Sequence, residues 1–228
     1  ILAVEPLRQG ELRSIALDQA FFALYDEKVA GTLIPVFSLR SEGSFGVGDF
    51  GDLKLMIDWV AKTHQRLLQV LPINDSTSTH TWTDSYPYSC ISVFALHPQY
   101  CDLRQLPAID DKVEADRFEM LREELNALPQ IDYERVNNAK IKYLQMLFKQ
   151  EGKKVLESED FKSFFKATNH WLVPYAQYCY LRDKNGTCEF DKWEDHNQWN
   201  EADRDALSNP QNKAFEDVAF FYYVQYVL

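Results

Sequence analysis

Between residues 32 and 100 the chain follows a grammar that few folds satisfy: apolar run, glycine-rich loop, amphipathic segment, apolar run, polar loop. The first run is Thr32-Leu-Ile-Pro-Val-Phe-Ser38 and the second is Leu67-Leu-Gln-Val-Leu-Pro72. The second, 67–71, is too short for a helix and reads as a buried strand; the first reads as its partner. Between them, residues 52–62 put Leu53, Met56, Ile57 and Val60 on one face with Trp59 beside it, which predicts a helix. Asp49 or Gly51 is its expected cap. A helix of this length between two strands predicts a right-handed parallel crossover, a βαβ unit. Pro35 argues for an edge, a bulge or a strand start. In such units ligand chemistry collects in the loops leaving the carboxyl ends of the strands. Here those are residues 40–51 and 74–89, and a third apolar patch follows at 91–96.

From Cys101 onward, charge and helical periodicity dominate. Helices are expected over 111–125, broken by Pro129, and over 136–150, ending at Gly152. Two more are expected over 158–168 and 171–182, with Pro174 tolerated near a helix start or kink. Asn185-Gly186 marks a turn, and residues 190–210 read as polar and irregular. In the last segment Phe215, Val218, Ala219, Tyr222 and Tyr226 form one helical stripe. Residues 1–10 read as a linker tail and 11–25 as a strand or short helix on the outside. The expected organisation is therefore a linker tail and lead-in at 1–30, a βαβ unit with its loop at 31–100, and a helical part at 101–228. The fold class is α/β. Two strands are too few for an independent parallel sheet. Ile1 is not an initiator and the apolar stripe runs to Leu228, so a fragment of a longer protein is expected.

A formal net charge of -11 argues against nucleic acid or an anionic membrane as partner, since both need a basic surface. The longest apolar runs fall far short of a membrane span. Cys90, Cys101, Cys179 and Cys188 contain no C-x-x-C pair, and they read as reduced thiols of a cytoplasmic protein. Their spacing offers no zinc site, and the five histidines show neither H-E-x-x-H nor H-x₃-H spacing. No metal or cofactor is expected.

Two loops are candidates for chemistry. Gly46-Val-Gly-Asp-Phe-Gly51 contains G-x-G-x-x-G, which cradles phosphate in nucleotide enzymes. The acid expected about 20 residues further on is missing from 67–71 and the loop is long, so a tight strand-to-helix turn is the stronger reading of the glycines. The stronger candidate is His80-Thr-Trp-Thr-Asp-Ser-Tyr-Pro-Tyr88. It offers an imidazole, hydroxyls, a carboxylate and three aromatic rings, the mixture sugars require. A polar surface loop anchored by its tyrosines fits the same composition. No G-x-S-x-G elbow exists, and no acid pair for glycosyl chemistry can be nominated from this chain.

Taken together, Gly31-Thr-Leu-Ile-Pro-Val-Phe-Ser-Leu39, the glycine run 43–51, Gln69-Val-Leu-Pro72, Asp84-Ser-Tyr-Pro-Tyr88 and Ser92-Val-Phe-Ala95 with Pro98 resemble the amylomaltases. These are the 4-α-glucanotransferases of glycoside hydrolase family 77. The likeness continues in Ile131-Asp-Tyr133, Trp171-Leu172, Tyr175-Ala176 and the last aromatic helix. Tyr86 is an extra residue relative to the commoner form, and 74–83 also differs, as in the long variant that carries starch-binding modules upstream. The resemblance implies a (β/α)₈ TIM barrel, of which this chain would hold the opening βαβ and a largely helical insertion. It implies transfer of α-1,4-glucan segments among maltooligosaccharides with retention, using carboxylates from later strands that no segment here matches. It also implies substrate binding by Tyr88 beside the scissile bond. Asp84 and Ser85 would orient the loop or glucose hydroxyls, while His80 and Trp82 lie where the variant diverges. The rival expectation is a non-catalytic glucan-binding or assembly module.

Overall fold

The computed structural model describes residues 29–228, so the expectations for residues 1–28 lie outside the described residues. Strand β1 (Gly31–Leu33) pairs in parallel with β2 (Leu67–Gln69), in the register Gly31–Leu67, Thr32–Leu68 and Leu33–Gln69. Helix α1 (Phe50–Lys62) connects them, so the parallel strand–helix–strand connection is as expected. Both strands are shorter than their apolar runs. Pro35 has no N–H for the ladder; β1 gives out just before it, and residues 36–38 turn into a 3₁₀ helix. The patch at 91–96 forms no strand and contributes one antiparallel bridge, Asn74 to Leu96.

Close packing explains the glycine run. A Cβ on Gly48 would stand 2.0 Å from the Val36 carbonyl oxygen, and Gly46 has φ of +76° against Leu125. Asp49 caps α1 by accepting from the amides of Gly51 (2.9 Å) and Asp52 (3.1 Å), and Asp52 accepts from the Asp49 amide in return. Asp52 also takes the hydroxyls of Ser41 (2.5 Å) and Ser44 (2.7 Å). The amides and hydroxyls that a phosphate would need are thus filled by the loop's own carboxylates.

The remainder is helical. Helix α2 (Lys112–Ala127) is capped by Asp111, and α3 spans Tyr133–Leu156. Helix α4 spans Glu159–Asn185, α5 spans Glu201–Ser208 and α6 spans Phe215–Val227. Helix α3 does not end at Gly152; it buries that glycine and continues. The two segments expected around Pro174 form one 27-residue helix. Proline costs it the bond to the carbonyl of His170, a residue on the exposed side of the helix. Gly186 closes α4 in the left-handed region at φ +66°, as Asn185-Gly186 predicts. Helix α5 forms inside the stretch expected to be irregular, because Asn200 and Asp203 make a capping box at its start.

Helix α6 is buried on more than its expected stripe. Tyr223 and Val224 join a core containing Phe45, Leu125, Leu144 and Leu147, while Val218, Ala219 and Tyr222 pack with Leu172, Val173, Ala176 and Cys179 of α4. A helix apolar on several faces belongs inside, and α6 is the axle of the helical part. Lys140 of α3, fully buried, ties the two halves together. Its Nζ donates to the carbonyls of Gln99 (2.7 Å) and Cys101 (2.8 Å) and lies 3.7 Å from Asp49 Oδ2. Burial lowers the Lys140 pKa and raises that of Asp49, and each charge partly restores the other. Among the described residues no helix is long and apolar enough to cross a membrane. All four cysteines are free, and burial pushes the Cys101 thiol up to about 11.

Candidate functional site

The loop that follows β2 is held at its neck by backbone. The amide of Asp75 donates to Ala95 (2.9 Å), that of Ile91 to Asp75 (2.8 Å), and that of His97 to Ile73 (3.0 Å). Gln225 of α6 clamps the same neck, its amide accepting from Leu96 N at 2.8 Å and donating to Leu96 O at 2.8 Å. An irregular loop has no ladder of its own, so buried side chains supply the missing partners.

Two carboxylates do this within the loop. Asp75, 2% exposed, accepts from the amide and hydroxyl of Thr77 (2.9 and 2.7 Å) and from the Tyr175 hydroxyl of α4 (2.6 Å). Asp84, 5% exposed, accepts from the amides of His80 (2.7 Å) and Thr79 (3.0 Å) and from the Thr79 hydroxyl (3.0 Å). Ser76 Oγ donates to the Asp84 carbonyl (2.6 Å), and Ser85 Oγ to the Trp82 carbonyl (2.6 Å). Asp84 and Ser85 therefore spend these bonds on the loop's own backbone and on the Thr79 hydroxyl.

Helix α4 grips the loop a second time. Arg182 donates to the Thr77 carbonyl at 2.6 Å, and His80 Nε2 lies 2.8 Å from Asp183 Oδ1. Burial alone would raise the Asp183 pKa, but bonds from His80 and Arg182 hold it below the ordinary value. His80 sits in the left-handed region at φ +58°, a strained position for a residue with a Cβ. The Trp82 amide donates to Glu134 of α3 at 2.9 Å.

Held from behind in this way, the loop turns three rings outward. Trp82 is 68% exposed, Tyr86 58% and Tyr88 60%. The rings of Tyr86 and Tyr88 lie 5.6 Å apart, tilted by 55°. Adjacent flat apolar faces with hydroxyls at their edges are the surface on which a sugar ring stacks. The sequence puts His80, Trp82, Asp84, Ser85 and Tyr88 in one loop, and the structure sorts them: aromatics outward, Asp84 and Ser85 inward, His80 sideways to α4. Arg182, Asp183 and Gln225 escape sequence reading, and Tyr175 enters it only as part of the family likeness, because they lie a hundred or more residues away and no local pattern ties them to the loop.

The chain matches the 4-alpha-glucanotransferase family, glycoside hydrolase 77, over residues 34–228. It is 38% identical over 201 residues to 4-alpha-glucanotransferase DPE2 of rice, covering 87% of this chain and 21% of that protein. It is 34% identical over 200 residues to a 4-alpha-glucanotransferase of Chlamydia caviae, covering 86% of this chain and 36% of that one. Amylomaltase from Corynebacterium glutamicum superposes with a TM-score of 0.65 at 19% identity, over 87% of this chain and 26% of that structure. Amylomaltase from Streptococcus agalactiae, solved with acarbose, gives 0.64 at 18%, over 88% of this chain and 39% of that structure. The chain thus spans between a fifth and two-fifths of the length of these proteins. With the family matched over most of its length, the chain belongs to the 4-α-glucanotransferases of glycoside hydrolase family 77.

Proposed function

We propose that this chain is the front portion of a 4-α-glucanotransferase catalytic domain. The complete enzyme transfers α-1,4-glucan segments between maltooligosaccharides, or to another glycan acceptor, by a retaining double displacement. Retention requires a carboxylate nucleophile and a carboxylic acid about 5 Å apart. Asp75 accepts from Thr77 and from the Tyr175 hydroxyl of α4, and Asp84 from the loop's own amides, so both serve as supports here, and no segment of this chain matches the later-strand carboxylates of the family; the reading places the catalytic pair outside these residues. In this reading β1, α1 and β2 open a (β/α)₈ barrel, residues 101–228 are a helical insertion, starch-binding modules stand upstream, and the enzyme works in the cytoplasm. The observation that carries the reading is the outward pair Tyr86 and Tyr88 on a hydrogen-bonded base, inside the span shared with the family.

Tyr88 would stack on the sugar beside the bond that breaks. In the complete enzyme, Tyr88→Ala is expected to lower kcat/KM on maltotriose by about tenfold, as befits a ring contact of about 1–1.5 kcal/mol. Its melting temperature should stay unchanged. Wild-type kinetics in that variant would remove Tyr88 from the site. Failure of the complete enzyme to disproportionate maltotriose while still binding it would favour a non-catalytic glucan module.

A further inference from the structure

One face of α4 fastens the loop after β2 at three points. The Tyr175 hydroxyl donates to Asp75 (2.6 Å), Arg182 donates to the Thr77 carbonyl (2.6 Å), and His80 Nε2 meets Asp183 Oδ1 (2.8 Å). Positions 175, 182 and 183 are i, i+7 and i+8, neighbours on one side of a helix. Tyr175 and Arg182 are buried, but the His80 and Asp183 side chains are 49% and 39% exposed. An ion pair so open to water adds little to the stability of the fold, so its place on this loop calls for another account.

The backbone of His80 supplies one. At φ +58° a glycine would sit without penalty, whereas a residue with a Cβ is strained. The conformation alone does not single out His80, since His64 and His196 share it. His196, however, pairs with Asp203 only seven residues on, while the partner of His80 lies 103 residues away. That reach is what an imidazole offers at position 80 and a glycine does not. Asp183, with its pKa below the ordinary value, is a carboxylate and only accepts, so His80 Nε2 donates whatever the charge on the ring. The His80 amide meanwhile donates to Asp84 at 2.7 Å. Asp84 belongs to the 3₁₀ turn Trp82–Ser85, which runs directly into Tyr86 and Tyr88. His80 is thus the link between α4 and the turn.

We propose that Asp183 is a positioning residue for glucan transfer: through His80 it sets the pose of the turn that carries Trp82 and leads to Tyr86 and Tyr88. The left-handed penalty and the worth of an exposed ion pair are similar in size and opposite in sign. Losing the pair leaves the strain uncompensated on the turn, and the outward rings shift with it. Strain held at one residue by a distant partner is a device of sites where placement matters more than stability. Asp183 touches no substrate in this reading; it acts on the rings only by way of His80.

The inference rests on the glucanotransferase reading, in that it takes this loop to contact glucan. The test uses the full-length enzyme with maltotriose as substrate. His80→Gly keeps the turn and leaves Asp183 with Arg182, so it removes the latch alone. It should lower kcat/KM by about fivefold, the worth of an exposed ion pair, at an unchanged melting temperature. Asp183→Ala should lose about as much, and Asp183→Asn, which keeps the acceptor, should restore most of it. The double variant His80→Gly/Asp183→Ala should be no worse than either single, because both remove one interaction. Hydrogen exchange of the amides in residues 76–90 should quicken in both singles. Losses that multiply to about 25-fold in the double variant mean that the two residues act independently, and they overturn the inference. So does a loss in His80→Gly that follows a lowered melting temperature. Tyr88→Ala run alongside separates the two readings. Impaired Tyr88→Ala beside wild-type kinetics in His80→Gly defeats the positioning role alone. Quickened exchange in His80→Gly beside wild-type kinetics in Tyr88→Ala defeats the reading of the loop, not its fastening.

Discussion

His97 carries a cost that depends on pH. Burial lowers its pKa from the ordinary 6.5, reinforced by Lys140 and opposed by Asp75 and Asp84. The folded ring therefore stays neutral where the unfolded ring takes up a proton. Stability from this group is complete above 6.5 and declines as pH falls below it, toward the depressed folded value. Thermal melts should show the midpoint dropping as pH falls below 6.5, with a shallower slope in His97→Gln. Equal slopes would show that the ring's burial has no energetic consequence. Lys140 is the opposite case, a charge kept buried by two carbonyls and an acid. Lys140→Met should cost about 3 kcal/mol in urea unfolding, because Asp49 and both carbonyls lose a partner at once. Neither residue announces itself in the sequence. A histidine before Pro98 and a lysine on a charged helix look ordinary until their neighbours are known.

Among the elements, two glycines separate strain from crowding. Gly186 ends α4 at φ +66° with nothing within 4 Å of a would-be Cβ. Gly186→Ala should therefore cost only the left-handed penalty, about 1 kcal/mol. Gly48 lies where a Cβ would strike the Val36 and Leu39 carbonyls. Gly48→Ala should unfold the turn outright, seen as a collapse in soluble yield or a melting temperature lower by many degrees. The helix after Asp49, the parallel crossover and the stop at Gly186 were all legible, because caps, periodicity and Gly are local signals. The continuity of α4 through Pro174 was not, since whether a helix survives proline depends on where the orphaned carbonyl points. The depth of α6 was hidden for a related reason: one stripe is visible in a period count, but burial on several faces requires partners on several sides.

Across the whole molecule the uneven feature is the βαβ face. Leu33, Leu55, Ile57, Trp59 and Leu67 are about half exposed, and among the described residues the two strands pair only with each other. Large apolar groups beside open edges invite association. The 228-residue chain by itself is expected to self-associate in light scattering at micromolar concentration, and Leu55→Lys should reduce this. A monomer with no change in the variant would contradict it. At this scale the loop's aromatic and polar composition is legible in the sequence but its mounting is not, for Asp75 and Tyr175 are separated by a hundred positions. That mounting bears on how the protein is born. Leu96 is fastened by Gln225, which leaves the ribosome 129 residues later. At roughly 5–20 residues per second, the interval is on the order of ten seconds. For that time the nascent loop has its local turns but no fastening from the axle helix, so a chaperone has its clearest opportunity there, and a pause in translation near α6 would lengthen it.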